Sequence, residues 1–319
     1  MAFGIKHIDL PDGPATREAF GDALAELGSD ERIVVVDGDV NNSTFTNHFK
    51  ERYPDRFFNV GIAESNMVGT AAGLAGAGKI PVVASFATFL MSNAFDQIRM
   101  SVAFPNQNVK LVGTHAGISI GEDGPSQMAI EDVALACSLP GMTVMVPADG
   151  PSATAATRAM IEREGPTYLR CGRPKVPKIY NDESSFHVGK ANRLRDGSDV
   201  SLIANGIMVA MALDAAEELA NEGVSASVID MHTVKPIDVA AIERAANDTR
   251  GIVVAEEHLA YGGLGATVAM VVAERHPTQM CFVDLGDTYA TSGTPDELLA
   301  QYGLTPAAIA DAARRILKD

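Results

Sequence analysis

Short apolar runs rich in β-branched residues recur along this chain, separated by stretches with helical spacing. Residues 33–36, 81–84, 109–112, 143–146 and 167–169 read as buried strands. Between them lie helical stretches such as Thr16–Leu27, which places Phe20, Ala23, Leu24 and Leu27 on one face and meets Gly28 as its stop. Uninterrupted apolar strands joined through helices must be covered on both faces. The pattern therefore predicts an α/β fold built on a parallel sheet.

The alternation pauses at residues 173–185 (RPKVPKIYNDESS), where two prolines, several charges and serines predict a linker. A short strand is expected within 186–195. Alternation then resumes, with strands at Val200–Ala204, 226–229, Gly251–Ala255 and 280–283. The last helix has a clear start signal: Thr305 as N-cap, Pro306 at the first helical position, then Ile309, Ala313 and Ile316 on one face. A chain of 319 residues, 46% of them hydrophobic, can fill two cores, and the expected domains are 1–178 and 179–319.

Acidic residues number 41 against 25 Lys and Arg, a formal net charge of −16. Such a surface repels nucleic acid and anionic membrane, so neither is an expected partner. A small anionic substrate stays open, provided a few Arg and His side chains form a local basic pocket. The three cysteines, Cys137, Cys171 and Cys281, form no CxxC pair, and no two histidines stand in an HxxxH or HExxH pattern. They read as reduced, mostly buried thiols of a cytosolic chain. The N-terminal residues 1–13 lack the apolar core of a secretory signal. The longest apolar stretch, 80–91, is too short to span a bilayer, so a soluble, cytoplasmic protein is expected.

Three blocks carry candidate chemistry. GIAESNM at 61–67 opens a helix lined with small residues, with Glu64 near its start; alone, that carboxylate suits the helix dipole. ASFATFLM at 84–91 ends a strand and sets Phe86 and Phe89 at its carboxyl end, where parallel sheets bind ligands; alone, the two rings suit a core. THAGISIGEDGP at 114–125 runs from a strand into a glycine-rich loop carrying His115 and Asp123. A loop so poor in hydrophobic pattern reads as functional, and an unperturbed imidazole would suit proton transfer or anion contact.

Taken together and in this order, the three blocks resemble the transketolase family of thiamine-diphosphate enzymes, from about Pro14 to the end of the chain. KPID at 235–238 and the EEH and YGGLG segments within 256–265 resemble that family's C-terminal domain and that of its deoxyxylulose-phosphate synthase relatives. The resemblance implies a parallel-sheet pyrimidine-binding domain of the thiamine-diphosphate fold, followed by a mixed-sheet C-terminal domain that serves subunit association. It also implies a separate N-terminal diphosphate-binding transketolase subunit as partner. That subunit would hold the cofactor's diphosphate with Mg2+ or Ca2+ and assemble with this chain as α2β2. Met1, a few residues ahead of the ATRE segment, fits a natural start. The family's metal-holding GDG motif is imitated by Asp37-Gly38-Asp39-Val40-Asn41-Asn42 without its full spacing. Asp39 is kept as a cofactor contact, and no metal ligand is assigned.

The implied activity is transfer of a two-carbon ketol unit between a ketose and an aldose, expected as sugar phosphates. Glu64 matches the glutamate that hydrogen-bonds the aminopyrimidine and activates the cofactor, a role suited to a carboxyl in a low-dielectric site. Phe89 matches an aromatic that stacks on the pyrimidine, with Phe86 and Phe95 as further candidates. The resemblance assigns His115 to catalysis and to the substrate, and Asp123 to a sugar hydroxyl. Arg17, Ser43 and Arg173 are assigned to phosphate, whose oxygens match arginine's planar fork. Read without the resemblance, Arg17 is a solvated helix residue and Arg173 a surface charge.

The chain departs from the family pattern at three positions. Gln127 stands where His is usual, Ala116 where Asp is usual, and Ser92 where a further aromatic is usual. Gln127 can donate and accept hydrogen bonds but cannot carry a proton charge, so the reaction class is better fixed than the sugar. Two rivals share parts of the pattern. One is the β subunit of a 2-oxoacid dehydrogenase E1 component, disfavoured by GEDGP. The other is a non-catalytic scaffold, disfavoured by Glu64, His115 and Asp123 together. Gly263-Leu264-Gly265 imitates a dinucleotide fingerprint but has Val268 in place of the third glycine.

Overall fold

Seven strands form the first sheet, in the order Thr233–Lys235, Thr143–Met145, Thr167–Arg170, Lys110–Thr114, Ile80–Phe86, Ile33–Asp37 and Phe57–Asn59. Six of them are mutually parallel; five correspond to the apolar runs, and Phe57–Asn59 is a sixth that the pattern does not mark. The seventh, Thr233–Lys235, comes from the second half of the chain and pairs antiparallel with Thr143–Met145. The second sheet has the order Gln279–Val283, Gly251–Ala255, Val200–Ala204, Ala226–Asp230 and Asn192–Arg195. Its last strand runs antiparallel to the other four, which makes the sheet mixed. The computed structural model describes residues 10–181, 184 and 186–318; residues 1–9, read above for a signal core, and Asp182, Glu183 and Ser185 of the expected linker lie outside them.

Strands Ile33–Asp37, Lys110–Thr114 and Thr167–Arg170 are buried along their whole length. Helices cover them, and each fully buried aliphatic side chain contributes about 1.5–3 kcal/mol. One apolar cluster runs from Val36 and Leu111 through Val234 to Ile252, so the two domains share part of a core. Helix Thr16–Leu27 buries Phe20 and Leu24 as expected. Gly28 ends it without a left-handed turn, at φ −60. A Cβ there would lie 2.1 Å from the Tyr53 ring, so close packing explains this glycine. The final helix, Pro306–Lys318, starts as predicted, with Ala308 N–H donating to Thr305 Oγ1 at 3.2 Å.

The pause at 173–185 is not a loose tether over its described residues. Lys175–Pro177 pairs antiparallel with Asp12–Ala15. The N–H groups of Ile179 and Tyr180 donate to Asp149 Oδ2 at 2.7 and 2.8 Å, and the Tyr180 hydroxyl donates to Asp230 at 2.7 Å. The connection is therefore bonded to both domains. Within 186–195 only Asn192–Arg195 is strand. The rejected dinucleotide fingerprint has a structural explanation: the N–H groups of Leu264 and Gly265 both donate to the Glu256 carboxylate at 2.7 Å. That helix start is filled by the chain's own carboxylate, where a phosphate would otherwise sit. Among the described residues no helix is long and apolar enough to cross a membrane.

Candidate active site

Parallel strands deliver their carboxyl ends to one edge of the sheet, and the candidate residues gather there. Ile33–Asp37 leads into the short helix Asn41–Thr44, which carries Ser43. Phe57–Asn59 leads into helix Glu64–Gly76, and Ile80–Phe86 into helix Ala87–Asn93. Lys110–Thr114 ends beside His115, and Thr167–Arg170 shortly before Arg173.

The first cluster is formed by Glu64, Ser85, Phe86 and Phe89. Glu64 is 6% exposed, and Ser85 Oγ donates to its Oε1 at 3.2 Å. Among the described residues no other side chain bonds this carboxylate. Its other oxygen is not shut off from solvent, so a further donor can reach it. Phe86, next to Ser85 in the chain, and Phe89 have half-buried rings that lie nearly parallel at 16° with centroids 6.2 Å apart. An acceptor open to a further donor, at the strand end that also carries two aromatic faces, fits a flat nitrogen heterocycle bearing N–H groups. An aminopyrimidine is such a group.

The second cluster is polar and cationic. Arg17 Nη1 donates to Ser43 O at 2.6 Å and to His115 Nε2 at 3.1 Å, while its Nε donates to Arg173 O at 3.3 Å. Ser43 thus contributes its carbonyl to this network. The Arg17 guanidinium also lies 5.1 Å from the Phe45 ring centroid, and Phe45 adopts a left-handed φ of +61. Arg17 has no carboxylate partner among the described residues, and burial followed by repulsion from Arg173 lowers its pKa. Arg173 Nη1 donates to Ile120 O at 2.6 Å and pairs with the exposed Glu122 carboxylate at 3.2 Å. Both arginines line a cavity of about 470 Å³ with Ser119, Lys175, Thr294 and Pro295. The two clusters meet where the Phe86 ring stacks on His115, centroids 3.9 Å apart.

His115 differs from its expectation. Arginine only donates, so Nε2 must accept from Arg17. Thr114 Oγ1 donates to Ser85 O at 3.3 Å and therefore accepts from His115 Nδ1 at 2.8 Å. The ring is neutral, with its proton on Nδ1. Burial, then Arg17, then Arg173 push its pKa down to about 3, far from the near-neutral value that proton carriage at physiological pH needs. So placed, His115 accepts from Arg17 and stacks on Phe86. The titration also sets a pH dependence. The folded value lies below the ordinary 6.5, so the contribution is full above that value and is lost as pH falls toward about 3. Between about pH 8 and about pH 5 this removes about 2 kcal/mol. Denaturant unfolding of His115→Asn should show an acid loss smaller than that of the unaltered chain by this amount; identical pH slopes would contradict the neutral assignment.

Other candidates lie apart. Asp39 is exposed at φ +66 and accepts from Asn59 Nδ2 at 2.7 Å, while Asn59 Oδ1 accepts from Gly61 N–H at 2.9 Å. It ties the turn to the start of the Glu64 segment. Asp123 is exposed on the loop, and half-buried Gln127 accepts a short bond from Ser126 Oγ. Among the described residues the Phe95 ring stacks on neither Phe86 nor Phe89; it lines a separate cavity of about 370 Å³ with Met100, Phe104 and Leu139. Sequence reasoning missed Ser85 and Phe45, which act on Glu64 and Arg17. It also missed Asp37, whose buried carboxylate accepts from Val40 N–H, Thr44 Oγ1 and Thr46 Oγ1 and so shapes the turn presenting Ser43. The signal for Asp37 was an acid at the end of an apolar strand, followed closely by two threonines.

Comparison with known proteins identifies the family. The sequence model for the transketolase pyrimidine binding domain matches residues 12–178, and that for the transketolase C-terminal domain matches residues 189–309. The 6-deoxy-6-sulfo-D-fructose transketolase subunit SqwH of Clostridium sp. is 40% identical over 301 residues, 94% of each chain. Human transketolase is 40% identical over 326 residues, 98% of this chain and 52% of that protein. A solved structure described as a split gene transketolase, inactive beta4 tetramer, is 44% identical with a TM-score of 0.88, covering 96% of this chain and 99% of that one. The chain belongs to the transketolase family, of which it carries the pyrimidine-binding and C-terminal domains.

Proposed function

We propose that this chain, divided at 178/179, is one subunit of a split thiamine-diphosphate transketolase that moves a two-carbon ketol unit between a ketose and an aldose bearing an anionic group. One observation carries the reading: the Phe86–His115 stack joins the Glu64 carboxylate and its aromatic faces to the Arg17–Arg173 cavity. Glu64 with Phe86 and Phe89 would hold a cofactor ring, and Arg17 with Arg173 a substrate anion. Thiamine diphosphate supplies the electron sink that lets a carbon–carbon bond beside a ketose carbonyl break and re-form. Glu64 holds a proton toward the ring nitrogen, Phe86 and Phe89 present flat faces, and the arginines hold the sugar's anion.

The diphosphate and its Mg2+ or Ca2+ fall to a partner subunit in this reading, in an α2β2 assembly. The human relative is about twice as long as this chain, and the solved relative is described as inactive when it consists of β chains alone. The name of the SqwH relative includes a sulfonated sugar; sulfonate and phosphate are both compact oxyanions that a guanidinium pair can hold.

Reconstitution tests the whole proposal. The chain is mixed with a diphosphate-binding transketolase subunit, thiamine diphosphate and Mg2+, and a panel of phosphorylated, sulfonated and uncharged ketoses is offered. Ketol transfer is expected from the mixture and negligible transfer from this chain alone. Equal rates with and without the partner would refute the split assignment, and a mixture inert toward the panel would refute the reaction.

A further inference from the structure

The loop at 117–125 faces the proposed sugar cavity; Gly117 N–H donates to Ala129 O at 2.8 Å within the first domain, and a second anchor lies in the other domain. Ser119 N–H donates to Glu257 Oε1 at 2.6 Å, across 138 positions of sequence. Both residues are buried, Ser119 at 0% and Glu257 at 4% exposure. Gly117 sits at φ +81, and a Cβ there would lie 2.1 Å from the Glu257 carboxyl carbon. Only glycine meets both demands. The backbone holding Glu257 is itself pinned to the first domain: Arg170 Nη2 donates to Glu257 O at 2.9 Å, and Leu259 N–H donates to Ile130 O at 2.9 Å. Arg170 is held in turn by the buried Asp132 carboxylate at 2.9 Å. The carboxylate therefore has little room to follow the loop.

The residue after Ser119 explains why this matters. Ile120 O accepts from Arg173 Nη1 at 2.6 Å, so the position of the 118–120 turn sets where the Arg173 guanidinium stands. From the other side the second domain presents Thr294 and Pro295 to the same cavity, and Pro295 Cδ would lie 3.0 Å from a Cβ at Gly121. We propose that Glu257 is a positioning residue for the anion cavity: from the C-terminal domain it fixes Ser119, hence Ile120 O, hence Arg173. The C-terminal domain would then build the substrate site as well as serving association. This inference rests on the function proposed above only for what the cavity binds.

Burial raises the Glu257 carboxyl to about 6, against the opposing effects of Arg170 and Ser119 and with Asp132 adding to the rise. Its essential service to Ser119 is an acceptor oxygen, which a glutamine also offers. The test uses Glu257→Ala, Glu257→Gln and Gly117→Ala. In each chain alone, hydrogen exchange is followed at the amides of 118–122; in each reconstituted enzyme, kcat and KM are measured for a phosphorylated ketose. Losing a bond to a charged acceptor corresponds to about 10–100-fold, so Glu257→Ala should speed exchange and raise KM by that range, with kcat within about 2-fold. Glu257→Gln should lie near the unaltered protein in both readouts. Gly117→Ala, which displaces the carboxylate from the other side, should reproduce the KM rise even where Glu257→Ala folds poorly. Unchanged exchange, a normal KM in Gly117→Ala, or a loss confined to kcat would overturn the proposal. Should the unaltered mixture fail to transfer a ketol unit, the functional reading falls, while the exchange measurement still decides the role of Glu257.

Discussion

Replacing Glu64 by Gln is expected to lower kcat of the reconstituted enzyme by about a hundred- to ten-thousand-fold, the usual range for removing a positioned acid or base. The substitution keeps size and shape. The new amide oxygen would still accept from Ser85 Oγ, which reaches the present carboxylate at 3.2 Å. What disappears is the capacity to hold or release a proton toward the cofactor ring. Glu64 begins a 13-residue helix whose body is unaffected, and its side chain is buried, so no surface charge needed for assembly is lost. Sedimentation of the mixture should therefore be unchanged, and hydrogen exchange at the cofactor's C2 position should slow in step with kcat. A variant turning over at the original rate would remove Glu64 from the mechanism. A variant that fails to associate would show a structural role instead.

The parts of this fold legible in sequence are those decided locally. Strands Ile33–Asp37 and Ile80–Phe86 are apolar at nearly every position because both faces are covered, and that pattern needs no knowledge of partners. The overlooked strands are short and decided by distant pairing. Phe57–Asn59 is exposed at two of its three positions, Lys175–Pro177 lies in a proline-rich stretch, and Thr233–Lys235 leaves its own domain to extend the other sheet. The same division holds at the site. The blocks around Glu64, Phe89 and His115 point to it by resemblance, while Asp123 lies exposed on the loop. Residues acting across large separations left no local trace: Arg17 reaches His115 over 98 positions, and Ser119 reaches Glu257 over 138. The neutrality of His115 was equally hidden, because it arises from burial and from two arginines that are neighbours only in the fold.

Those two arginines carry the second large expected effect. Arg17→Ala and Arg173→Ala should each cut kcat/KM for phosphorylated ketoses by about 10–100-fold, since a hydrogen bond to a charged group contributes about 1.5–3 kcal/mol. The two variants should differ in character. Arg173 donates to Ile120 O and to an exposed Glu122 that a substrate anion can displace, so its loss is mainly a loss of anion affinity. Arg17 binds Ser43 O, Arg173 O and His115 Nε2 together. Its removal frees three acceptors and loosens the His115 ring stacked on Phe86, so kcat should fall along with affinity. Lysine cannot replace it, because one ammonium cannot span three fixed acceptors as a planar fork does. The decisive comparison is with an uncharged ketose, against which Arg173→Ala should lose little. An equal loss on charged and uncharged substrates would mean that the arginines shape the pocket without holding an anion. A selective loss, growing at low ionic strength, is the signature of a cation pair set to receive one.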